Sequence, residues 1–569
     1  MAFIIKQKRR DGKTSVHLAE SVHRPGRTPC HRRQHLGTLD AETDELILAK
    51  GLPEPDGELL ELLRKKGIVF HGRRSPSRSE PEAGGALPRW SADGVRVEEI
   101  GRVGLLSSLA RASGLADCLW TCFGVGDGSR ILRLAMHQAC DGGAVYLAQD
   151  WWDDLGGVDT TGLSSSAAGA LLADLGRAAA ARRAFFAEWL RVCGMPKALI
   201  HDTTSLSSYA NDLELAEWGY NRDGDRLPQI NLALVVARAT RLPVWYRSLP
   251  GSIPDVASLK GTSAMLRDLG LEDFSFTLDR GYYSQDNLNA MLDEGIRFLI
   301  GVPLHLKQAK ELATRHLEAL NTFERRFLAN GTPVGHMPCQ FRLERRDGPA
   351  VKLPAHLYLG VERRHQMSLR LEKTALELAA KAKELSFDSP RRAEQWLEEN
   401  ARAFAKFFDV ASRDGRSVLI IQPSRVADAL KCQGLTLIVT SPLPDAAEAP
   451  GREEILEDYR SRDMAEKLFD VYKNATGNDR LRTGGDQAAE GRMFLAFVSL
   501  TLRALLENKL REASPKSSLA VPEALAMLKK IKQLVPVAGK PLLLEVPKKS
   551  RDLVLAMERQ PEELAAARI

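Results

Sequence analysis

Cysteine is scarce in this sequence. Seven cysteines are scattered over 569 residues, a density and spacing unlike the disulfide framework of a small secreted domain. One group, Cys118, Cys122, His137 and Cys140, has gaps that a zinc site would permit. Its helical and apolar surroundings favour buried cysteines instead. The composition therefore excludes a disulfide scaffold and disfavours structural zinc.

Long hydrophobic runs are also missing. The longest apolar stretch, MFLAFVSLTL at 493–502, is about half of the roughly 20 residues that a membrane-spanning helix needs. The N-terminal sequence MAFIIKQKRRDGK lacks the apolar segment and cleavage motif of a signal peptide. We therefore expect a soluble cytoplasmic protein with no membrane partner.

No large excess of one charge is present. The chain has 80 Lys and Arg against 74 Asp and Glu, a net charge of +6, which excludes a histone-like polycation. The excess is local, because residues 1–35 hold nine Lys or Arg and two acids. Such a basic arm indicates a polyanionic partner without specifying its sequence.

Changes in composition and periodicity predict several domains, which 44% hydrophobic content is sufficient to build. Apolar strands followed by helices predict an α/β core that is interrupted by an insertion and completed after it. The predicted segments are 1–70, a small β-rich basic module; 71–90, a linker; 91–195, a helical region to which the family resemblance described below assigns DNA binding; 196–303, the first part of the core; 304–433, the insertion; 434–512, the second part of the core; and 513–569, a C-terminal helical tail.

Two aspartates end predicted strands. Asp202 lies in ALIHDTTSL and Asp279 in FTLDRGYYS. The carboxyl ends of strands in an open α/β sheet are where ligands usually bind. Taken singly, each aspartate is more typical of an ordinary strand-end or helix-capping residue than of a functional one.

A third acid lies in YRSRDMAEKLFDVYK, residues 459–473, which we predict to be one helix. Tyr459, Arg462, Glu466 and Lys473 then fall within about 60° of one another and span about 21 Å. The simpler interpretation is a solvated face with an ordinary Arg462–Glu466 pair. The two strand-end aspartates favour a functional interpretation of this stripe.

Three carboxylates that converge repel one another, so ionising all of them requires cations. We therefore predict that Asp202, Asp279 and Glu466 are catalytic and hold two divalent ions. Oxygen ligands favour Mg²⁺, with Mn²⁺ as a substitute, and a metal pair suits phosphodiester chemistry.

The remaining members of the stripe predict contacts with a DNA strand. Arg462 and Lys473 suit phosphate groups, the first as a planar fork and the second as a point charge. Tyr459 can offer its hydroxyl to a phosphate or its ring to a base.

The motifs HDTTSL and LDRGYYS, with the Tyr-(2)-Arg-(3)-Glu-(6)-Lys spacing from Tyr459 to Lys473, resemble prokaryotic insertion-sequence transposases of the DDE type, in the insertion-sequence-four group. The resemblance implies an α/β fold with a ribonuclease-H-like catalytic core. It also implies Mg²⁺-dependent cutting of double-stranded DNA at terminal inverted repeats, and joining of the 3′-hydroxyl ends to target DNA. A homodimer across two transposon ends, associated with the bacterial nucleoid, is the expected assembly.

Two alternatives stay open. Another ribonuclease-H-like nuclease would keep the acids without needing the Tyr-Arg-Lys stripe or so long an insertion. A catalytically inactive DNA-binding relative is the second alternative, and the presence of all three acids argues against it.

Overall fold

The structure is a computed structural model. It describes residues 2–8, 14–22, 30–39, 46–49, 52, 55–68, 70, 95–156, 160–210, 212–222, 224–442, 449–513, 519–536 and 539–567. The predicted linker 71–90 lies outside these residues. The chain divides into two compact units, residues 1–88 and 89–569.

The first unit is an antiparallel sheet with one helix. Its strands follow one another in the order β1-β2-β3-β4. Apolar side chains that include Ile4, Val16, Leu36 and Leu63 form a small core of their own. The elements are β1 Ala2–Lys8, β2 Thr14–Val22, β3 Cys30–Leu39, β4 Leu46–Leu48 and α1 Gly57–Lys65.

The second unit begins with one short strand and a set of helices. α3 and α5 pack against α15, a long helix from the far end of the core. The predicted helical region 91–195 therefore packs against a helix of the core and does not form a separate unit. The elements are β5 Arg96–Glu99, α2 Gly101–Ala112, α3 Leu115–Asp141, α4 Ala148–Leu155, α5 Ser165–Arg177, α6 Ala179–Val192 and α15 Asp486–Ala513.

A large mixed sheet forms the centre of the second unit, which confirms the predicted mixed α/β architecture. Its order is β11-β12-β13-β16-β10-β9-β6-β7-β8, with β17 beside the end of β6. The strands are β6 Ala198–Ser208, β7 Gln229–Ala237, β8 Pro243–Pro250, β9 Ser275–Leu278, β10 Arg297–Val302, β11 Arg326–Ala329, β12 Thr332–Leu343, β13 Val351–Gly360, β16 Leu435–Thr440 and β17 Arg480–Leu481.

Parallel pairing is confined to the middle of this sheet. β9 runs parallel to both β6 and β10, and β17 runs parallel to β6. The pairs β6–β7, β7–β8 and β10–β16 are antiparallel. The helices that accompany the sheet are α7 Asp255–Asp268, α8 Gln285–Asp293, α9 Lys307–Leu320, α13 Arg452–Arg460 and α14 Asp463–Asp470.

The predicted insertion, 304–433, contributes to two different cores. Its strands β11, β12 and β13 extend the central sheet through β16. Its other elements enclose a small core that includes Leu378, Ala393 and Phe408. Trp396 packs at the margin of that core, with its ring 6.4 Å from the ring of Phe387. These elements are α10 Val361–Lys383, α11 Pro390–Trp396, β14 Phe408–Arg413, β15 Arg416–Ile421 and α12 Pro423–Lys431.

The predicted C-terminal helical tail, 513–569, contains strands as well as helices. β18 pairs with β5, so the end of the chain packs beside the start of the second unit. The elements are α16 Val521–Leu528, β18 Lys532–Val535, β19 Leu542–Leu543, α17 Lys548–Ala556 and α18 Glu563–Ala566. Within the part of the chain that the structure describes, no helix has the length and apolar character needed to cross a membrane.

Candidate functional site

The two aspartates occupy equivalent positions on neighbouring strands. β6 and β9 are parallel, with His201 paired to Leu278, so Asp202 and Asp279 are the next residues along. Asp279 directly follows the last residue of β9. Strands in a sheet lie about 4.8 Å apart, so the sheet brings these two residues side by side.

The side of the sheet that Asp202 faces follows from its pairing. Asp202 lies opposite Leu234, which lies opposite Tyr246, and residues paired in this way share one face. The Tyr246 hydroxyl donates to Glu490 Oε1 on α15 at 2.8 Å. Asp202 therefore faces the helical layer that contains α15. His201 faces the other way, with Nε2 3.2 Å from Thr262 Oγ1 on α7.

A hydroxyl pair joins the two segments that carry the aspartates. Thr203 Oγ1 and Tyr282 Oη are 2.6 Å apart and buried. Asp202 Oδ1 accepts from the backbone N–H of Thr203 at 2.8 Å. The hydroxyl pair holds the motif HDTTSL against the motif LDRGYYS, and the second bond orients Asp202 within its own motif.

The continuous helix predicted over 459–473 is wrong. α13 ends at Arg460, α14 starts at Asp463, and a π-helical turn covers Val471–Ala475. The break has a local cause, because the Ser461 hydroxyl donates to the Asp458 carbonyl at 2.6 Å. That carbonyl would otherwise accept from the N–H of Arg462, which bonds to the Tyr459 carbonyl instead. The four stripe residues therefore do not lie along one straight helix.

Three of the four stripe residues meet Asp279 or each other. The Tyr459 hydroxyl donates to Asp279 Oδ1 at 3.4 Å. Arg462 Nη1 lies 3.1 Å from Asp279 Oδ1 and 3.3 Å from Glu466 Oε1. The Arg462 guanidinium also stacks 4.8 Å from the centroid of the Tyr459 ring. Arg462 therefore bridges the carboxylates of Asp279 and Glu466.

Burial and charge shape the electrostatics of this cluster. Tyr459 is only 6% exposed, and burial raises the pKa of its hydroxyl to about 12, with Asp279 adding to the shift and Arg462 opposing it. Burial lowers the pKa of Arg462, but Tyr459, Asp279, Asp463 and Glu466 outweigh that effect and raise it overall. Tyr459 therefore stays protonated and Arg462 charged at neutral pH.

The carboxylate oxygens of this cluster are suited to binding a cation. One positively charged nitrogen, Arg462 Nη1, lies between carboxylate oxygens of Asp279 and Glu466. Hard divalent ions prefer such oxygen ligands. In this arrangement, and among the described residues, no three His, Cys, Asp or Glu side chains are close enough to hold a metal ion together. A bound ion would therefore compete with Arg462 for the same oxygens.

The other two predicted site residues are Asp202 and Lys473. Asp202 is on the neighbouring strand, where it accepts a hydrogen bond from the Thr203 N–H. Lys473 is half-buried in the π-helical turn, about 10 Å beyond Glu466 at 1.5 Å per residue.

Three residues that the sequence analysis did not single out also line the site. Arg280, Gly301 and Arg363 surround a cavity of about 260 Å³ together with Asp279 and Glu466. Arg280 adjoins Asp279 in LDRGYYS, so its position in that motif was a usable signal. Gly301 and Arg363 carry no comparable local signal.

Comparison with known proteins gives one family match. A family model described as the transposase DDE domain matches residues 194–502, which is more than half of the chain. No curated protein matches the chain. Among solved structures, the chain is similar to a piggyBac transposase synaptic complex with hairpin DNA, at 11% identity and a TM-score of 0.35, over 70% of this chain and 68% of that one.

Proposed function

Because the chain belongs to the transposase DDE domain family, we propose that it is a DNA transposase of the insertion-sequence-four group. Its proposed reaction is to cut an insertion sequence at its terminal inverted repeats and to join the 3′-hydroxyl ends to target DNA. The observation that carries this proposal is that Tyr459 and Arg462 both contact Asp279, while Glu466 pairs with the same Arg462, beside the strand that holds Asp202.

We assign the catalytic core to the strands β8-β7-β6-β9-β10 and propose that it is ribonuclease-H-like. Three antiparallel strands and two parallel ones lie in this order. Asp202 lies on the central strand β6, and Asp279 directly follows the neighbouring strand β9. Glu466 lies on α14, which packs against β6 and β7.

In the proposed site, Asp202, Asp279 and Glu466 would hold two divalent ions, Mg²⁺ or Mn²⁺. When bound, such ions activate the attacking oxygen and stabilise the leaving oxygen of a phosphodiester. Asp279 and Glu466 already share a cation, the Arg462 guanidinium, which supports their assignment as ligands.

The other stripe residues would act on the DNA. Arg462, released from the carboxylates, would bind a phosphate through its fork of N–H donors. Tyr459 is almost fully buried, so its proposed contact is through the hydroxyl rather than the ring face. Lys473 would bind a second phosphate from the π-helical turn.

The proposed partners are double-stranded DNA of the transposon ends and of the target. The proposed assembly is a homodimer that holds two ends, in the bacterial cytoplasm and associated with the nucleoid. The basic composition of residues 1–35 supports an additional DNA contact from the first unit.

The decisive change is Glu466→Gln, which keeps the size of the side chain but removes its charge. We expect this variant to bind transposon-end DNA as the wild type does, and to lose Mg²⁺-dependent nicking by at least about a hundredfold, because a ligand of the ions is lost. The measurement is nicking of a labelled duplex that carries the terminal repeat, with binding measured in parallel.

The matched control is Glu457→Gln, which changes an exposed glutamate on α13 outside the cluster. It should cut normally. Normal cutting by Glu466→Gln would refute the site, and a wild-type protein that binds ends but never cuts would favour the inactive DNA-binding alternative.

A further inference from the structure

A cleft runs from the proposed metal site to the start of the insertion helix α10. The cavity of about 260 Å³ beside Asp279 and Glu466 adjoins a second cavity of about 440 Å³. Arg363, Tyr459 and Arg462 line both cavities, so the two lie side by side. We call the two neighbouring cavities together the arginine cleft.

Four arginines line the arginine cleft: Arg280, Arg363, Arg460 and Arg462. Arg462 is engaged by Asp279 and Glu466. The other three make no ion pair and no side-chain hydrogen bond with any residue that the structure describes. Arg280 lines the smaller cavity, Arg460 lines the larger one, and Arg363 lines both.

The acids of the cleft do not neutralise these three arginines. Asp279 and Glu466 are the proposed metal ligands. Glu362 Oε1 accepts from Gln366 Nε2 at 3.3 Å, and Asp463 lies 3.8 Å from Arg462. A concave surface with unpaired positive groups attracts an anionic ligand, and the fork of a guanidinium matches a phosphate group.

The three unpaired arginines come from separate parts of the fold. Arg280 directly follows Asp279, Arg460 is the last residue of α13, and Arg363 lies in the first turn of α10. The N-terminal end of a helix favours negative charge, which reinforces Arg363. Lys473 does not line this space.

We propose that the arginine cleft holds the sugar-phosphate backbone of the DNA strand next to the cut phosphate, with Arg280, Arg363 and Arg460 as phosphate contacts. The strand then passes over the start of α10, so the insertion supplies part of the substrate site. This inference rests on the proposed function and adds to it the path of the strand and the residues that hold it.

The test compares Arg363→Ala with Arg370→Ala in the full-length chain. Arg370 is an exposed arginine on the same helix, about 10 Å farther along at 1.5 Å per residue, and it does not line the cleft. The probe is a fluorescein-labelled DNA duplex, and affinity is measured at several salt concentrations in the presence of a chelator, so that no cutting occurs.

We expect Arg363→Ala to weaken binding about tenfold at low salt, the order of a charged hydrogen bond. The slope of log affinity against log salt should fall by about 0.9, the value for one lost phosphate contact. Arg363→Lys should retain the slope because it retains the charge, and Arg370→Ala should retain both slope and affinity.

Equal losses of DNA affinity in Arg363→Ala and Arg370→Ala would refute the proposed role of the arginine cleft. They would indicate a non-specific electrostatic attraction of the DNA to α10. An unchanged slope in Arg363→Ala would also refute that role. These results leave the cutting test of Glu466→Gln unaffected, whereas a wild-type chain that binds no DNA would overturn both the cleft and the proposed function.

Discussion

At the scale of the residue, the position of Tyr459 depends on a glycine far away in the sequence. A Cβ atom added to Gly301 on β10 would lie 2.2 Å from Tyr459 Oη and 3.0 Å from Cζ. Real Cβ atoms do not approach other atoms so closely, so only glycine at 301 leaves room for the tyrosine hydroxyl. Through this contact, one backbone position determines how Tyr459 reaches Asp279.

Gly301→Ala should therefore destabilise the protein by about 1–3 kcal/mol, the usual cost of overpacking. Combining it with Tyr459→Phe should recover part of that loss, because the atom nearest to the new methyl group is then absent. Urea unfolding of the two single variants and the double variant measures the coupling. If the stability losses of the two single variants simply add up in the double variant, the Tyr459 hydroxyl is not the atom that clashes with the new methyl group.

At the scale of the element, helices α5 and α15 touch through glycine. A Cβ at Gly176 would lie 1.8 Å from the Gln487 carbonyl oxygen, and a Cβ at Gly491 would lie 1.9 Å from the Leu172 carbonyl oxygen. The two helices therefore pack backbone against backbone. This contact attaches the helical region before the sheet to the last helix of the core.

Gly176→Ala and Gly169→Ala form a matched pair on α5. Gly169 is exposed, and an added Cβ there meets no atom within 4 Å. Alanine at 169 should stabilise the protein by about 0.5–1 kcal/mol through helix propensity. Alanine at 176 should destabilise it by about 1–3 kcal/mol, because the helices must move apart. Equal shifts of melting temperature in the two variants would contradict this packing.

At the scale of the whole molecule, the second unit depends on contacts between distant segments. The central sheet joins strands from before, within and after the predicted insertion, and β18 returns to β5 near the start of the unit. Buried polar groups are part of this interior. One of them, His137 on α3, is 2% exposed and packs 5.3 Å from the Trp151 ring.

Burial lowers the pKa of His137 to about 4, with Asp141 opposing the shift, from an ordinary value of 6.5. In the unfolded chain, His137 therefore binds a proton below about pH 6.5. In the folded chain, His137 stays neutral down to about pH 4. Above about pH 6.5, the titration of His137 does not lower the free energy of unfolding. As the pH drops from about 6.5 to about 4, this free energy falls by up to about 1.4 kcal/mol per pH unit.

The variant His137→Gln lacks this titration. Its stability deficit relative to the wild type should shrink as the pH falls from about 7 to about 5. Urea unfolding at each pH measures the difference. A deficit that stays constant over this range would mean that the folded protein accepts the proton on His137.

Much of the architecture follows from local sequence. Runs such as ALIHDTTSL and FTLDRGYYS predict strands that end at Asp202 and Asp279, and the structure pairs those strands as neighbours. The predicted strand end at Asp202 is wrong, because β6 continues to Ser208, paired with β7, whereas β9 does stop just before Asp279. The signal is local, because apolar runs and the residues that end them lie together in the chain. The mixed α/β class follows from the alternation of such runs with helices.

The sequence by itself determined that an aspartate follows each of the two apolar runs at 198–201 and 275–278, and that Arg462 lies one turn before Glu466. Only the tertiary structure decided that the helix breaks at Ser461, that Tyr459 turns inward against Gly301, and that Arg363 of the insertion faces the same cleft as Arg280. The physical reason is distance along the chain. Periodicity depends on near neighbours, whereas packing, burial and the meeting of charges depend on segments that only folding brings together.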